Sequence, residues 1–113
     1  MKNLRNTVRL IGRLGRDPKV TKFENGSQVV TFSIATDDSY KNKEGERVEE
    51  TQWHNLRVWN GLSKVAEKYL KKGMEITIEG RLTHRSYETK DGQTRYITEV
   101  EVQDLLMMGK KAS

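Results

Sequence analysis

Cysteine is absent from this sequence of 113 residues, and proline occurs once. Without cysteine the chain cannot form a disulfide framework, a zinc–thiolate site or a thiol nucleophile. Long apolar runs are also missing, so we expect neither a membrane span of roughly 20 residues nor a signal peptide. Only 34% of the residues are hydrophobic, and eight are aromatic. These shortages predict one small cytoplasmic domain. Because its hydrophobic core must be small, we expect self-association to help stabilise it.

Charge, in contrast, is plentiful: 33% of the residues are charged and the formal net charge is +5. Residues 1–22 carry seven basic side chains against one acidic, and residues 61–95 carry eight against five. The intervening residues 23–60 are net acidic. The two basic blocks either converge on one surface that attracts a polyanion or merely solvate the fold, and charge alone does not decide between these readings.

Alternation of apolar and polar residues predicts strands, because successive side chains of a strand point to opposite faces. From Val8 to Leu14 the even positions are apolar or glycine, whereas Arg9 and Arg13 lie on the other face. The same alternation predicts strands at residues 20–23, 30–35, 51–59, 74–87 and 96–102. Residues 37–50 are polar apart from Tyr40 and Val48 and predict an exposed loop or a mobile hairpin.

One amphipathic helix is predicted from apolar residues at helical spacing, namely Leu62, Val65, Ala66, Tyr69 and Leu70. Asn60 or Ser63 is the candidate N-cap. Lys71 and Lys72 complement the negative end of the helix dipole, and Gly73 is the expected C′ glycine.

The order of these elements predicts an all-β domain with the OB-fold, a five-stranded Greek-key barrel with one α-helix between strands 3 and 4. Gly12 and Gly80 fall near strand middles, where a small barrel must bend sharply. An SH3-like barrel would lack the helix, and a ferredoxin-like fold would need a second one.

The most informative strand is 51–59, whose odd positions hold Trp53, Asn55, Arg57 and Trp59. If Leu56 and Val58 face the core, two tryptophans and an arginine share one face in water, which needs a functional reason. The opposite orientation would bury Arg57 and expose Leu56, so it fits poorly. A flat aromatic side chain beside a cation suits an unstacked base and its phosphate.

Tyr40 in the polar stretch and Tyr87 on the outward face of residues 81–87 are candidates for the same stacking surface. Each of them alone is more typical of an ordinary surface or packing tyrosine. The remaining aromatic residues are interpreted as core or strand-packing side chains: Phe23, Phe32, Tyr69 and Tyr96.

Catalytic and metal chemistry is poorly supported by the residues present. His54 and His84 are 30 positions apart, without a spacing typical of a metal site. The adjacent pairs at 37–38 and 49–50 would point to opposite faces of an extended chain. No glycine-rich motif follows a strand and opens a helix. We therefore expect no enzyme activity, no cofactor and no metal site.

The chain resembles the bacterial single-stranded DNA-binding protein family. The matching stretches are residues 8–18, 32–36, 51–54, 65–73, 78–82 and 91–96. They run in the family order over nearly the whole chain. The resemblance implies an OB-fold that binds single-stranded DNA without sequence preference and assembles from dimers into a homotetramer.

The resemblance also implies site residues. The family's principal stacking positions fall on Tyr40, Trp53, Trp59 and Tyr87. Its phosphate-contacting basic positions fall on Lys71, Lys72 and Arg85, whereas Thr21, Asn55 and Thr83 replace other basic residues. From their facing in the predicted strands, we expect the compensating cations Arg9, Arg13, Arg57 and Arg81, with Asn55 as a polar contact. The first strand pairs between subunits in the family, which implies an interface at Val8, Leu10 and His54.

We expect residues 1–108 to form the OB-fold DNA-binding domain and residues 109–113 to be a short, basic, disordered end. Family members usually continue into a flexible linker and an acidic tip that recruits replication and repair proteins. This sequence stops without either, so it is a tailless paralogue or a trimmed chain, and recruitment through a tip is not expected. The resemblance places the protein in the bacterial cytoplasm at the nucleoid.

Two other functions remain open at this point. The first is a protein-interaction OB module, like the dimeric primosomal replication proteins related to the family. The second is an RNA-binding OB domain of the translation machinery. A dimeric mass would favour the former, and a preference for RNA over DNA of equal length would favour the latter.

Overall fold

The computed structural model describes residues 4–108, so the predicted basic end at 109–113 lies outside the described residues. The described chain forms six strands and one helix. They are β1 (Val8–Leu14), β2 (Lys19–Lys22), β3 (Gln28–Lys41), β4 (Arg47–Trp59), α1 (Asn60–Tyr69), β5 (Glu75–Glu88) and β6 (Thr94–Met107). Within residues 4–108, no helix is long and apolar enough to cross a membrane.

Five of the strands close into a barrel. The sheet order is β1-β5-β6-β4-β3-β2, and β1 also pairs with β3 at Arg13 and Leu14, which completes the ring. The short strand β2 pairs with β3 outside this ring. The helix α1 lies between β4 and β5, the third and fourth strands of the barrel. The predicted five-stranded OB-fold with one helix between strands 3 and 4 is therefore confirmed.

The core is filled by the even positions of the strands, as the alternation predicts. Its fully buried side chains include Val30, Ile34, Leu56, Val58 and Ile76, and α1 adds Ala66 and Leu70. Burying each such aliphatic side chain contributes about 1.5–3 kcal/mol. Because the inward face is set by this burial, the odd positions of β4 must point outward.

Two glycines allow the close strand approaches that a small barrel requires. A β-carbon on Gly12 would lie 2.5 Å from the carbonyl oxygen of Ala35, at the point where β1 meets β3. A β-carbon on Gly80 would collide with the backbone of Glu101, and the β5–β6 register shifts there in a bulge. The bulge at Gly80 agrees with the predicted bend there, whereas at Gly12 the structure shows a close strand approach.

Both long hairpins extend beyond the barrel. The β3–β4 pairing continues without a break to Lys41 and Arg47, so the polar stretch 37–50 forms a hairpin. Its turn is held by the side-chain oxygen of Asn42, which accepts hydrogen bonds from the backbone amides of Glu44 and Glu46. A polar stretch can form a ribbon in this way because the ladder hydrogen bonds need no apolar side chains.

The predicted helix caps are wrong. Trp59 occupies the N-cap position, and no side chain caps this end. Asn60 has a positive φ of 55° and instead accepts a hydrogen bond from the backbone amide of Gln28. The hydroxyl of Ser63 donates to the carbonyl of Asn60. Gly73 lies in a later turn, where its amide donates to Leu14, because α1 ends at Tyr69.

Four aromatic residues were predicted to be core or strand-packing side chains. Phe32 is buried as predicted, whereas Phe23, Tyr69 and Tyr96 are exposed. Tyr96 is 81% exposed because it lies on the part of the β5–β6 hairpin that extends past the barrel. Tyr69 is half exposed at the end of α1, with the ammonium of Lys68 5.3 Å from its ring centroid. Phe23 packs on the side chain of Trp59 in β4, but at the surface of the protein.

Candidate nucleic-acid interface

An open groove of about 730 Å³ runs over the outward faces of β3, β4 and β6 and is bordered by the turn after β1. Its lining includes the predicted site residues Trp53, Asn55 and Arg85. It also includes two cations that sequence reasoning missed, Arg16 and Lys19. A groove with aromatic, amide and cationic walls offers the contacts that an extended nucleic-acid strand requires.

Trp53 forms an exposed wall of this groove. It lies opposite Ala35 in the β3–β4 register and is 59% exposed. Its indole packs on Gly15, where a β-carbon would lie 2.6 Å from Cζ3 of the ring. Because Gly15 has no side chain, the indole ring can pack directly on its backbone while most of the ring surface stays exposed to solvent.

Asn55 lies beside Trp53 on the same outward face. Its side-chain oxygen accepts a hydrogen bond of 3.2 Å from the hydroxyl of Ser33, its neighbour across the β3–β4 ladder. This bond fixes the amide plane. Its nitrogen has no hydrogen-bond partner within residues 4–108 and is available to a ligand.

Trp59 belongs to a second aromatic cluster at the end of β4. The rings of Phe23 and Trp59 stack with centroids 6.0 Å apart and an interplanar angle of 19°. The guanidinium of Arg57 lies 5.0 Å from the centroid of Trp59, which is cation–π distance. Phe23 was missed as a site residue. Phe23 lies between the charged residues Lys22 and Glu24 at a hairpin turn, and this setting could have indicated from the sequence that it is not a core residue.

A network of ion pairs crosses the groove from β4 through β6 to β5. Glu99, only 4% exposed, accepts hydrogen bonds from Arg57 at 3.1 Å and from Arg85 at 2.7 and 3.2 Å. Glu101 lies 3.5 Å from Arg81 and 3.7 Å from Arg57. The network therefore pairs three predicted DNA-binding arginines with two carboxylates that sequence reasoning missed.

The strand register explains why these charges meet. On β4 and β6, which run parallel, Asn55 pairs with Glu99 and Arg57 pairs with Glu101. On β6 and β5, Glu101 pairs with Arg81. All of these positions are odd and face outward. Glu99 and Glu101 occupy odd positions in the sequence, as the outward arginines do. This pattern could have indicated ion pairs, but only if the register between the strands had been known.

Hydrogen bonding keeps this network charged. Burial by itself would raise the pKa of Glu99, but the hydrogen bonds from Arg85 and Arg57 outweigh it and hold that pKa below its ordinary value. The hydrogen bond to Glu99 raises the pKa of Arg85 in turn. At neutral pH, Glu99 is thus a carboxylate between two guanidinium groups.

The remaining predicted cations lie outside the groove lining. On β1, Arg9 forms an ion pair of 3.0 Å with Glu79, and Arg13 donates a hydrogen bond to the carbonyl of Gly73. Lys71 and Lys72 are exposed after α1. The backbone amide of Lys72 donates to the carboxylate of Asp17, a groove-lining residue, so Lys72 lies next to the groove edge.

The two tyrosines of the predicted stacking set occupy different surfaces. Tyr87 lies on the same outward face of β5 as Arg85 and is half exposed. Tyr40 is also half exposed, and it pairs with Val48 in an unbroken register. It therefore lies on the opposite face of the β3–β4 hairpin from Trp53. The stacking roles of both tyrosines stay predictions.

The predicted subunit-interface residues have partners within the chain. Val8 and Leu10 pack against the barrel core, and the ring of His54 hydrogen-bonds the hydroxyl of Thr36 at 2.9 Å. The outward face of this region instead carries Ile11 and Leu106, which flank Thr77 in the β1–β5–β6 register and are exposed. The roles of Val8, Leu10 and His54 in assembly stay predictions.

No metal site is evident in the described part of the chain, since residues 4–108 contain no group of three or more His, Cys, Asp or Glu side chains placed to hold an ion.

A closed five-stranded barrel with a helix between its third and fourth strands defines an OB-fold domain. The chain belongs to the single-strand binding protein family, whose model matches residues 5–108. This is a family of DNA-binding proteins and not of enzymes.

Curated relatives agree with this assignment. A single-stranded DNA-binding protein of Neisseria meningitidis is 43% identical over 104 residues, which cover 92% of this chain and 60% of the relative. Single-stranded DNA-binding protein 1 of Xylella fastidiosa is 40% identical over 107 residues, or 94% of this chain and 79% of that one. The chain thus spans about three fifths of the length of the Neisseria relative.

Solved structures have the same fold. The Plasmodium falciparum SSB in complex with single-stranded DNA superposes with a TM-score of 0.86 at 31% identity, covering 96% of this chain and 98% of that one. The single-stranded DNA-binding protein of Thermus aquaticus, solved as a deletion mutant, gives a TM-score of 0.81 at 24% identity, covering 92% of this chain and 50% of that one.

Proposed function

We propose that this protein binds and protects single-stranded DNA without sequence preference. The observation that carries the proposal is the exposed indole of Trp53, seated on Gly15 as a wall of a groove that also holds Asn55 and Arg85. The name of the Neisseria relative and the DNA complex of the Plasmodium protein support it.

Base stacking would supply affinity without reading sequence. Every base has a π face, and stacking on an aromatic side chain is worth about 1–3 kcal/mol per base. Trp53 and the Phe23–Trp59 pair are the best-supported platforms because they lie on one outward strand face. Tyr87 extends this surface along β5, whereas the proposed stacking on Tyr40 would use the opposite face of the β3–β4 hairpin.

Contacts to the phosphates would come from cations around the groove. Arg16 and Lys19 line it, and Lys71 and Lys72 lie near its edge. Arg9, Arg13, Arg57, Arg81 and Arg85 complete the proposed set of DNA-contacting cations, and of these Arg57 and Arg85 already hydrogen-bond Glu99. Neutralising phosphates releases condensed counterions, so we expect the affinity to fall with salt by about 0.7 log units per log unit of salt for each phosphate contacted.

The proposed assembly is a homotetramer built from dimers. The β1–β3 pairing includes only Arg13 and Leu14, so one edge of residues 8–12 has no strand partner within residues 4–108. A free edge favours pairing with a second copy. Val8 and Leu10 would enter that pairing through their backbones, and His54 is proposed for the same interface. The exposed row at Ile11 and Leu106 offers an apolar face for further packing.

In this proposal, residues 1–108 form the binding domain. The protein would act wherever replication, recombination or repair exposes single strands, in the bacterial cytoplasm at the nucleoid. It would meet the other proteins of these processes on DNA.

A fluorescence titration tests the proposal. Excess oligo-dT at low salt should quench the tryptophan emission, and the quenching should weaken as salt is added. Lack of quenching at low salt would contradict it. Tighter binding of an RNA oligomer of equal length would favour the translation-type OB domain, and a dimeric mass by light scattering would favour the protein-interaction module.

A further inference from the structure

The cations that line or border the groove differ in whether a carboxylate of the protein already neutralises them. Arg57 and Arg85 both donate hydrogen bonds to the buried carboxylate of Glu99. Arg16 and Lys19 line the same groove and form no ion pair with any residue in the 4–108 range. The groove and its border therefore carry two classes of cation. Arg85 in the lining and Arg57 beside it are held by an internal anion, whereas Arg16 and Lys19 face solvent.

This difference determines what each cation gains from a phosphate. A solvent-facing cation exchanges hydration and small counterions for the phosphate, and the released counterions drive binding. Arg57 and Arg85 would first have to leave Glu99. A buried carboxylate without its partners is strongly unfavourable. Exchanging one anion for another therefore offers these two arginines little net gain.

We propose that Glu99 withholds Arg57 and Arg85 from DNA phosphates, so that the salt dependence of binding is carried by the solvent-facing cations such as Arg16 and Lys19. Glu99 is thus a positioning residue. It holds Arg57 against Trp59 and Arg85 in the groove wall, where their planar guanidinium groups support bases and aromatic rings. This inference rests on the proposed function and assigns separate tasks within that site.

The first test compares Glu99→Gln with the wild type. Oligo-dT affinity is measured by tryptophan quenching from about 50 to about 200 mM salt. Glutamine removes the charge but keeps an acceptor, so Arg85 becomes available to phosphates and Arg57 keeps only the more distant carboxylate of Glu101, at 3.7 Å. The slope of log affinity against log salt should steepen by about 0.7–1.4, equivalent to an extra three- to sevenfold loss over this range. An unchanged slope would overturn the inference.

Glu44→Gln is the matched control, because it removes the same charge in the exposed β3–β4 turn, where Glu44 forms no ion pair with any described residue. Its slope should equal that of the wild type. If Glu44→Gln steepens the slope as much as Glu99→Gln, net charge explains the effect and the inference is overturned.

A second pair of variants tests the inference even if Glu99→Gln fails to fold. Arg85→Gln should weaken binding by the same factor at every salt concentration and leave the slope unchanged. Arg16→Gln should reduce the slope by about 0.7. A slope reduced by Arg85→Gln as much as by Arg16→Gln would overturn the inference. Failure of the wild type itself to bind would instead remove the proposed function.

Discussion

The indole of Trp53 rests on Gly15, in a contact that leaves no room for a β-carbon. A methyl group at position 15 would lie 2.6 Å from the ring, well inside van der Waals contact. Since the aromatic ring is the far end of a rotatable side chain, it is the ring that must move. The groove wall is therefore set jointly by a strand residue and by the glycine of a neighbouring turn.

Gly15→Ala should displace the Trp53 ring and weaken oligo-dT binding, by no more than the roughly 1–3 kcal/mol that one stacked base contributes. Tryptophan emission and oligo-dT titration measure the two effects. Gly61→Ala in α1 is the control, because a β-carbon there meets nothing within 4 Å. Equal affinities for Gly15→Ala and the wild type would show that the packing of Trp53 on Gly15 does not contribute to DNA binding.

Trp53→Ala should cost about 1–3 kcal/mol per occupied site, because it removes the most exposed platform of the groove. Tyr69→Ala serves as the control, since Tyr69 is an exposed aromatic residue on α1 that does not line the groove. Calorimetric titration with oligo-dT gives the affinities of both variants. An affinity for Trp53→Ala equal to that of Tyr69→Ala would remove Trp53 from the binding surface.

Phe23→Ala should loosen Trp59, because the two rings stack. We expect a coupling of about 0.5–1.5 kcal/mol between the two side chains in the free energy of unfolding. A double-mutant cycle with Trp59→Ala, read by urea denaturation, measures it. Additive effects of the two substitutions would mean that the contact contributes nothing to stability.

Glu99 should make stability depend on acid pH. Because its pKa in the fold is below the ordinary 4.5, its ionised form stabilises the fold above about pH 4.5. That stabilisation is lost as the pH falls through the folded pKa. Glu99→Gln should lower the free energy of unfolding by about 1–3 kcal/mol at neutral pH and flatten this acid-dependent loss.

Urea denaturation of both proteins at about pH 7, 5 and 3 measures the effect. The gap between wild type and Glu99→Gln should narrow at the lowest pH. A constant gap at all three would mean that the carboxylate does not titrate with folding.

Ile11→Glu should reduce the assembly below a tetramer, because it places a charge in the exposed apolar row beside Leu106. Light scattering gives the mass. Val65→Glu is the control, as Val65 is an exposed apolar residue on α1, remote from that row in the topology. A tetrameric mass for Ile11→Glu would place the interface elsewhere.

Alternation and helical spacing were enough to predict the barrel, its helix and the outward face of Trp53 and Arg57, because these depend on neighbours along the chain. The Glu99 network could not be predicted in this way, since it depends on the register between β4 and β6. Phe23 and Tyr96 were misinterpreted because periodicity does not reveal how far a hairpin extends past the core.

Arg57 and Glu99 are 42 positions apart, and the only strand pairing between their segments is the short parallel β4–β6 ladder. Such non-local contacts form late, after the entropy of closing a long loop has been overcome. The local β3–β4 and β5–β6 hairpins can each present aromatic or basic side chains earlier. The ion pairs of Arg57 with Glu99 and Glu101 therefore exist only once the barrel has closed, whereas Arg85 meets Glu99 within the β5–β6 hairpin. An incompletely folded chain would thus meet nucleic acid with Arg57 unrestrained.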